Sequence, residues 1–430
     1  MLLNPVVLSV LVLVILSLVR VNVIFSLLLA TVVGGITAGL GLEETITILV
    51  GGLGGQGETA LSYILLGILA VMIARSGITG FLIRLALPFM QGRQGIVLFT
   101  LAGIACLSQN IVPIHIAFIP ILIPPLLTVF NRMKVDRRGI ATALTFGLKA
   151  PYMLIPVGFG LIFHTIIADE MKANGMEISL AQIPLAMAIP VGGMFLGLVF
   201  AILVSYRKKR NYKDIPTEFT SAAGAREEDQ QWKWKHVVTL IALAVTLVLQ
   251  IVFGSLVIAA LGGIFTMFIL RAEAWHSGDD IVEGGVKMMG TIAFVMLIAS
   301  GYAAVLTETG AVNELVESAS AWIGDSVFVA ALLMMIVGLL VTIGIGTSFG
   351  TIPILAAIFV PLSATIGLSP LATAALIGTS GAIGDAGSPA SDSTLGPTSG
   401  LNVDGQHNHI WDTCVPTFLH YNIPLFIFGV

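Results

Sequence analysis

The sequence predicts an all-α polytopic membrane protein built as two inverted repeats, with about ten transmembrane helices, two re-entrant hairpins and broken helices. Three observations carry this prediction. Hydrophobic residues make up 57% of the 430, and only 10% are charged, where a soluble chain averages about 25% charged. Several apolar runs exceed the roughly 18 residues needed to cross a bilayer, and the mean hydropathy is +1.01. Lastly, some of these runs are interrupted by polar, Gly- and Pro-containing stretches that recur in the same order in both halves of the chain.

The first run, 2–19, lacks a basic leader and a small-residue cleavage site, so it reads as a span and not as a removed signal. Spans at 22–42 and 59–80 follow. Segment 95–130 carries a polar break and reads as a hairpin, 139–168 as a broken helix, and 183–205 ends the first repeat (1–205). The second repeat, 237–430, has spans at 237–253, 256–270 and 287–306, a hairpin at 327–362, a broken helix at 367–400 and a final run at 414–430. That last run is short for a span, so the natural chain is expected to extend past Val430. Between the repeats, YRKKRNYKDIPTEFTSAAGAREEDQQWKWKH (206–236) is the one long hydrophilic stretch and reads as a solvated connector.

If both hairpins enter and leave on one side, 18 of the 20 Lys and Arg residues fall on a single side, among them Arg20, Arg75, Arg137, Arg210, Lys235 and Arg271. Lys172 lies opposite and Lys149 inside a span. The positive-inside rule makes the rich side cytoplasmic, so the linker is cytoplasmic and the N-terminus is outside. The net charge of -4, with no basic face, excludes nucleic acid as a partner. Cys106 and Cys414 lie in apolar runs and read as small buried hydrophobes, not as a disulfide.

The halves echo each other across the linker. SQNIVPI (108–114) matches SFGTIPI (348–354), and ALTFGLKAP (143–151) matches ALIGTSGAIGDAGSP (375–389). IPLAMAIP (183–190) matches VPTFLHYNIP (415–424). Five crossings per half invert the second against the first, the arrangement typical of secondary transporters.

Non-helical backbone survives at membrane depth only inside protein or beside a wet cavity. Four such places occur: 107–115, 147–158, 343–353 and 381–400, and they should converge on one site. Pro113 and Pro353 interrupt the helix ladder. Ser388 followed by Pro389 reads as the N-cap and first residue of a half-helix aimed at an anionic group. Asp385 and Asp392 are the sharpest signal, because an intramembrane carboxylate usually marks an ion or proton path. At least one of them is expected to bind the coupling ion or titrate, with Ser393 beside them. Lys149, in the matching break of the first half, pairs with Asp385 or Asp392, anchors substrate, or snorkels. Ser108, Gln109, Asn110 and His115 in the first half, with Thr347, Ser348, Thr351, Ser388 and Ser391 in the second, offer hydroxyl, amide and imidazole groups for a substrate. His420 reads as a packing residue. The cluster Asp404, His407, His409 and Asp412 fits no strong zinc spacing, and GGLGGQGE (51–58) lacks the Lys-Ser/Thr of a phosphate loop. No cofactor is expected beyond a bound Na+.

GETALSYILLG (57–67), the SQN and GTS tips and GDAGSPASDSTLGPTSGLN (384–402) resemble the NhaC-type Na+/H+ antiporter family, in particular its YuiF-type branch of predicted histidine or amino-acid transporters. The resemblance runs over nearly the whole chain. It implies the ion-transporter superfamily fold, an elevator-like moving domain, a bacterial inner-membrane location and a homodimer. It also implies that Ser108, Asn110, Thr347 and Ser348 are hairpin-tip residues, and that Asp385, Ser388, Asp392 and Ser393 surround substrate and cation. The SQN tip departs from the Ser-Asn-Thr pattern of dicarboxylate carriers, which argues against di-acids.

The function expected is therefore a Na+- or H+-coupled secondary transporter, with an amino acid such as histidine as cargo. The alternative is exchange of cations alone. A channel lacks a filter-like repeat, and an aspartyl protease lacks a Gly-x-Gly-Asp motif, so no enzyme is expected.

Overall fold

The computed structural model describes residues 3–19, 21–78, 94–110, 118–157, 159–215, 233–312, 314–315 and 326–430. Among these every regular element is helical. The first half contains α1 (Pro5–Leu18), α2 (Val23–Thr37), α3 (Leu42–Gly52), α4 (Gly57–Ser76), α5 (Gln94–Asn110), α6 (Phe118–Met133), α7 (Arg137–Leu154), α8 (Phe159–Ala173) and α9 (Ile183–Phe200). The second contains α10 (Trp234–Phe253), α11 (Leu256–Ile269), α12 (Gly278–Glu308), α13 (Val327–Ile345), α14 (Ser348–Thr365), α15 (Pro370–Ala382) and α16 (Asp392–Leu401). A last helix, α17 (409–429), includes two π-helical stretches, His409–Cys414 and Phe418–Asn422. Starting at 409 rather than 414, it is longer than the sequence implied.

Five helical stretches among the described residues are long and apolar enough to cross a membrane, or seven if each bent pair counts as one span. Several depart from expectation. Leu42–Ser76 runs as α3, a 3-10 turn (Leu53–Gln56) and α4, where a loop was expected before 59. Glu43, Glu44 and Glu58 fall in helical first turns, where the helix dipole favours carboxylates. α13 alone is long enough to span, so the length argument for a hairpin at 327–362 does not hold. The tip 111–117 of the first hairpin, with Pro113 and His115, lies outside the described residues.

The breaks are narrower than the sequence implied. α7 runs unbroken through Lys149 and Pro151 to Leu154, and the 48° turn comes only between its end and the start of α8 at Phe159. Gly160 permits this turn, because a Cβ there would lie 1.9 Å from the Ile155 carbonyl oxygen. Pro353 sits inside α14 without breaking it. The 42° bend comes after Ala357, the residue whose carbonyl loses its partner to Pro361 four positions on. α15 ends at Ala382, a 3-10 turn covers Asp385–Gly387, and α16 starts at Asp392.

The helices form two packed sets. In one, α12 lies against α2, α3 and α4, and α11 lies against α4 and α10. In the other, α5 lies on α7, α13 on α15, and α9 on α7, α15 and α17. There α6 packs on α16, and α14 packs on α8. The sets meet where α1 and α12 touch α13 and where α4 touches α6. Cys106 and Cys414 are free thiols.

Gly384 has φ +88°, and a Cβ there would sit 2.9 Å from the Leu339 carbonyl oxygen. Gly384→Ala is expected to lower stability by about 1–3 kcal/mol, measured by thermal unfolding in detergent. Gly405, also at positive φ but with nothing within 4 Å, should lose less on the same change.

Candidate functional site

Three of the predicted broken segments meet around one carboxylate. Asp385 lies in the 3-10 turn after α15 and is 1% exposed. It accepts from Lys149 Nζ of α7 on Oδ2, and from Ser391 Oγ on Oδ1. Ser348 Oγ, at the start of α14, also donates to Oδ2 (2.6 Å). The carboxylate thus has two donors from elements distant in sequence, Lys149 and Ser348, and one, Ser391, from six residues along its own segment.

Proton accounting orders the rest of the cluster. The single Ser348 hydroxyl hydrogen goes to Asp385, so Ser348 Oγ accepts from Tyr152 OH at 2.8 Å. Tyr152 OH in turn accepts from Lys149 Nζ at 3.3 Å. A closed ring Lys149–Tyr152–Ser348–Asp385 results, in which each hydroxyl both donates and accepts. The Tyr152 ring is held by Phe163 (4.9 Å between centroids) and Phe349 (5.5 Å). Tyr152 was not singled out from the sequence, although its i+3 spacing from Lys149 places both on one face of α7.

The break 383–391 is lined by side-chain partners for its own backbone. Ser391 is the N-cap of α16, its Oγ accepting from Ser393 N (3.1 Å). The half-helix therefore begins three residues after the expected Ser388–Pro389. Ser388 is extended and buried, and its Oγ donates to the Ile343 carbonyl of α13 (3.3 Å). Ser393 Oγ donates to the Asp385 carbonyl (3.1 Å), and Thr145 Oγ1 donates to the Ser393 carbonyl (2.9 Å). Asp392 is the first residue of α16 and half-buried.

The remaining candidates are spread more widely. Thr347 precedes α14 and is half-buried, and Thr351 Oγ1 donates to the Thr347 carbonyl (2.7 Å), so this hydroxyl serves its own helix. Ser108, Gln109 and Asn110 end α5, with side chains outside the described residues, as is all of His115. His420 bonds Ser205 Oγ (2.9 Å) and the Pro416 carbonyl (2.7 Å), a packing role.

A cavity of about 1090 Å³ opens beside this cluster. It is lined by Asn22, Lys287 and Thr291 from one set and by Leu395, Thr398, 402–403 and 405–412 from the other. Asp385, Lys149, Ser348 and Ser391 do not line it, so the charged pair is closed off from it. His409 lies between the two regions: Nε2 donates to the Pro389 carbonyl (2.8 Å), and Nδ1 meets Thr398 Oγ1 (2.8 Å).

The acidic residues near this mouth have partners. Asp404 takes both terminal nitrogens of the fully buried Arg137 (2.7 and 2.6 Å), and Arg210 binds Asp412 (3.0 Å). Burial alone would raise the Asp404 pKa, but the Arg137 hydrogen bonds and charge hold it below the usual carboxylate range. Burial pushes the His407 imidazole down.

Comparison with known proteins identifies the family. Residues 143–430 match a family described as the Na+/H+ antiporter family, and residues 4–90 match one described as the Na+-H+ antiporter family. The chain belongs to the Na+/H+ antiporter family. The Vibrio parahaemolyticus "Uncharacterized membrane protein VP2115" is 51% identical over 438 residues, covering 99% of this chain and 98% of the relative. The Bacillus subtilis "Putative amino acid transporter YuiF" is 45% identical over 442 residues, covering 99% and 98%. The crystal structure of the Alcanivorax borkumensis YdaH transporter is 18% identical, covers 90% of this chain and 87% of its own, and has a TM-score of 0.42. This antiporter-family chain is thus a multi-pass membrane transporter and not an enzyme, and its longer family match contains Lys149, Ser348, Asp385 and Ser391.

Two outcomes are expected. Lys149→Met or Asp385→Leu alone leaves an unpaired buried charge and should cost about 3–5 kcal/mol, while the double variant should recover most of it; denaturant unfolding of all four proteins checks this. For His407, a lowered folded pKa means that only the unfolded chain takes a proton just below the ordinary value of about 6.5. Its contribution is full above that pH and is lost as pH falls, so His407→Gln should flatten the stability profile between roughly pH 7.5 and 5.

Proposed function

We propose that this transporter is driven by Na+ or H+ and carries an amino acid such as histidine by alternating access. One observation carries the reading: a buried carboxylate, reached by an ammonium and hydroxyls from three broken or terminating helices, and shut off from the adjoining polar cavity. The Lys149 ammonium occupies the position on Asp385 that a Na+ ion or a substrate ammonium would take. Binding of such a cation would displace Lys149, which either moves or gives up its proton. Asp392, the first residue of α16, supplies a second anionic group. The hydroxyls of Ser348, Ser391 and Ser393 are more than a bare cation requires, and they favour an organic cargo. The printed name of the Bacillus subtilis relative points the same way. The second reading, exchange of Na+ for H+ alone, is favoured by the description of the matched family, and the same Lys149–Asp385 exchange would serve it.

The domain reading belongs to this proposal: 1–205 and 237–430 are inverted repeats. Its support is reciprocal packing, with α5 on α7 as α13 is on α15, and α6 on α16 as α14 is on α8. An elevator-like movement of the second helical set against the first, a homodimer, and an inner-membrane location with 206–236 cytoplasmic complete it. The sidedness rests on the Lys and Arg distribution.

Purified protein in proteoliposomes is expected to take up labelled histidine or another amino acid under an imposed Na+ or pH gradient. Asp385→Asn and Asp392→Asn should each abolish uptake while remaining monodisperse. Proton movement coupled to Na+ with no amino acid taken up selects the cation exchanger. Normal transport by both variants overturns the site.

A further inference from the structure

At one end of the bundle, three helix ends surround a second cavity of about 710 Å³: the first turn of α10, the end of α11 and the 3-10 turn leading into α12. Lys235, Phe268, Arg271, Glu273, Trp275 and His276 line it. Because helix ends meet here, the cavity lies at the membrane–water boundary. Beyond it, α10 presents Val237, Leu240, Ile241, Val248 and Ile251 outward, all exposed, as a helix does against lipid. Trp234 and Trp275 are also exposed, amphipathic rings of the kind that settle at headgroup level. Both are held in place: Trp234 Nε1 donates to the Leu270 carbonyl (2.9 Å), and Trp275 stacks on Phe268 with centroids 4.5 Å apart.

The charge in this cavity is positive. Glu273 is buried, with Arg75 Nε at 3.7 Å and Lys235 Nζ at 3.6 Å, distances too long for tight hydrogen bonds. Arg271, exposed, has no ion-pair partner among the described residues. Two cations, Lys235 and Arg271, thus line the cavity with one carboxylate, which also has Arg75 beside it, while Asp279, Asp280 and Glu283 on the first turns of α12 do not line it. Arg271 also has φ +58°, a left-handed conformation that glycine adopts without steric cost and other residues do not. A cationic side chain is kept where the backbone favours none.

We propose that this pocket binds the phosphate of an anionic glycerophospholipid, with Arg271 and Lys235 as its cationic contacts, Trp275 at the headgroup rim and the acyl chains laid along the outward face of α10. The site is separate from the Asp385 cluster and does not depend on what is transported. Inorganic phosphate offers the same anion without chains, and phosphatidylcholine offers the chains without net charge, so the two serve as the discriminating probes.

The test uses full-length protein in mild detergent, with native mass spectrometry to count retained lipid and thermal unfolding to follow stabilisation. Phosphatidylglycerol should be retained and should raise the unfolding temperature, whereas phosphatidylcholine and millimolar inorganic phosphate should do neither. Arg271→Gly removes the charge and relaxes the backbone. It should therefore be at least as stable as the parent without lipid, yet bind phosphatidylglycerol about fivefold more weakly, the worth of one basic residue near an anionic surface. Arg271→Lys should keep most of the binding. Equal retention of the two lipids, an equal shift with inorganic phosphate, or unchanged retention by Arg271→Gly would each overturn the proposal. So would a lipid-free dimer that buries the outward face of α10, since that assigns the face to a second copy.

Discussion

The ion pair between Lys149 and Asp385 is the constraint around which the rest of the structure is arranged. Two opposite charges held away from water are tolerated only with close geometry and with their remaining hydrogen-bonding capacity filled. Lys149 comes from an unbroken helix and Asp385 from a break, so the partners that fill this capacity must arrive from elsewhere. Ser348 arrives because α13 ends at Gly346 and a new helix begins two residues later. Ser391 arrives because α16 is capped there, and Tyr152 because it lies one turn along from Lys149. Remove any one of these three breaks or turns and a donor to the carboxylate, or the support for one, is lost.

The same logic explains why a non-helical stretch is stable at this depth. In hydrocarbon an unsatisfied carbonyl is costly, yet the stretch 383–393 has its partners close by. The Ser388 carbonyl accepts from Thr394 Oγ1 (2.6 Å), the Pro389 carbonyl from His409 Nε2, and the Asp385 carbonyl from Ser393 Oγ. Backbone amides are met as well, with Ile383 N reaching the Thr379 carbonyl (2.7 Å) and Ala390 N reaching Ser388 Oγ (3.2 Å). The Ser and Thr residues of this segment, which a water-exposed loop would equally carry, replace water as hydrogen-bond partners. Composition alone does not distinguish these two uses of a hydroxyl; the long apolar runs on either side do.

That contrast also marks what was legible in the sequence. Membrane character, the positions of the interrupted runs, and Asp385 or Asp392 as one of three fates for Lys149 were readable, because a charge inside an apolar run has few tolerable environments. The exact breaks were not. Pro151 and Pro353 lie within continuous helices, because a proline removes one hydrogen bond and neighbouring helices can compensate, whereas the bend in α14 follows Pro361. Ser388–Pro389 has the local pattern of a helix start, but the Ile343 carbonyl of α13 takes the Ser388 hydroxyl, and the helix begins at Asp392 instead. α3 escaped notice because its Glu pair and Gly-rich end imitate a loop. Tyr152 was hidden because its importance comes from Ser348, 196 residues away in the chain.

Where the pair sits relative to the two helical sets bears on how access to it could alternate. Lys149, Tyr152, Ser348, Asp385 and Ser391 all belong to the second set, so no bond of the ring crosses to the first. Tyr63 of α4, in the first set, keeps a buried hydroxyl with no hydrogen-bond partner among the described residues. The cavity lies between the sets, with Lys287 and Thr291 of α12 on one wall and Leu395 and Thr398 of α16 on the other. On the function proposed above, a sliding movement along this seam would change the depth of the cavity while leaving the Asp385 ring intact. Opening the ring would be a separate event that needs a competing cation. A carrier that exposes its site by movement of one set, and exchanges its charge partner only when a ligand is present, keeps the two steps coupled without a continuous pore.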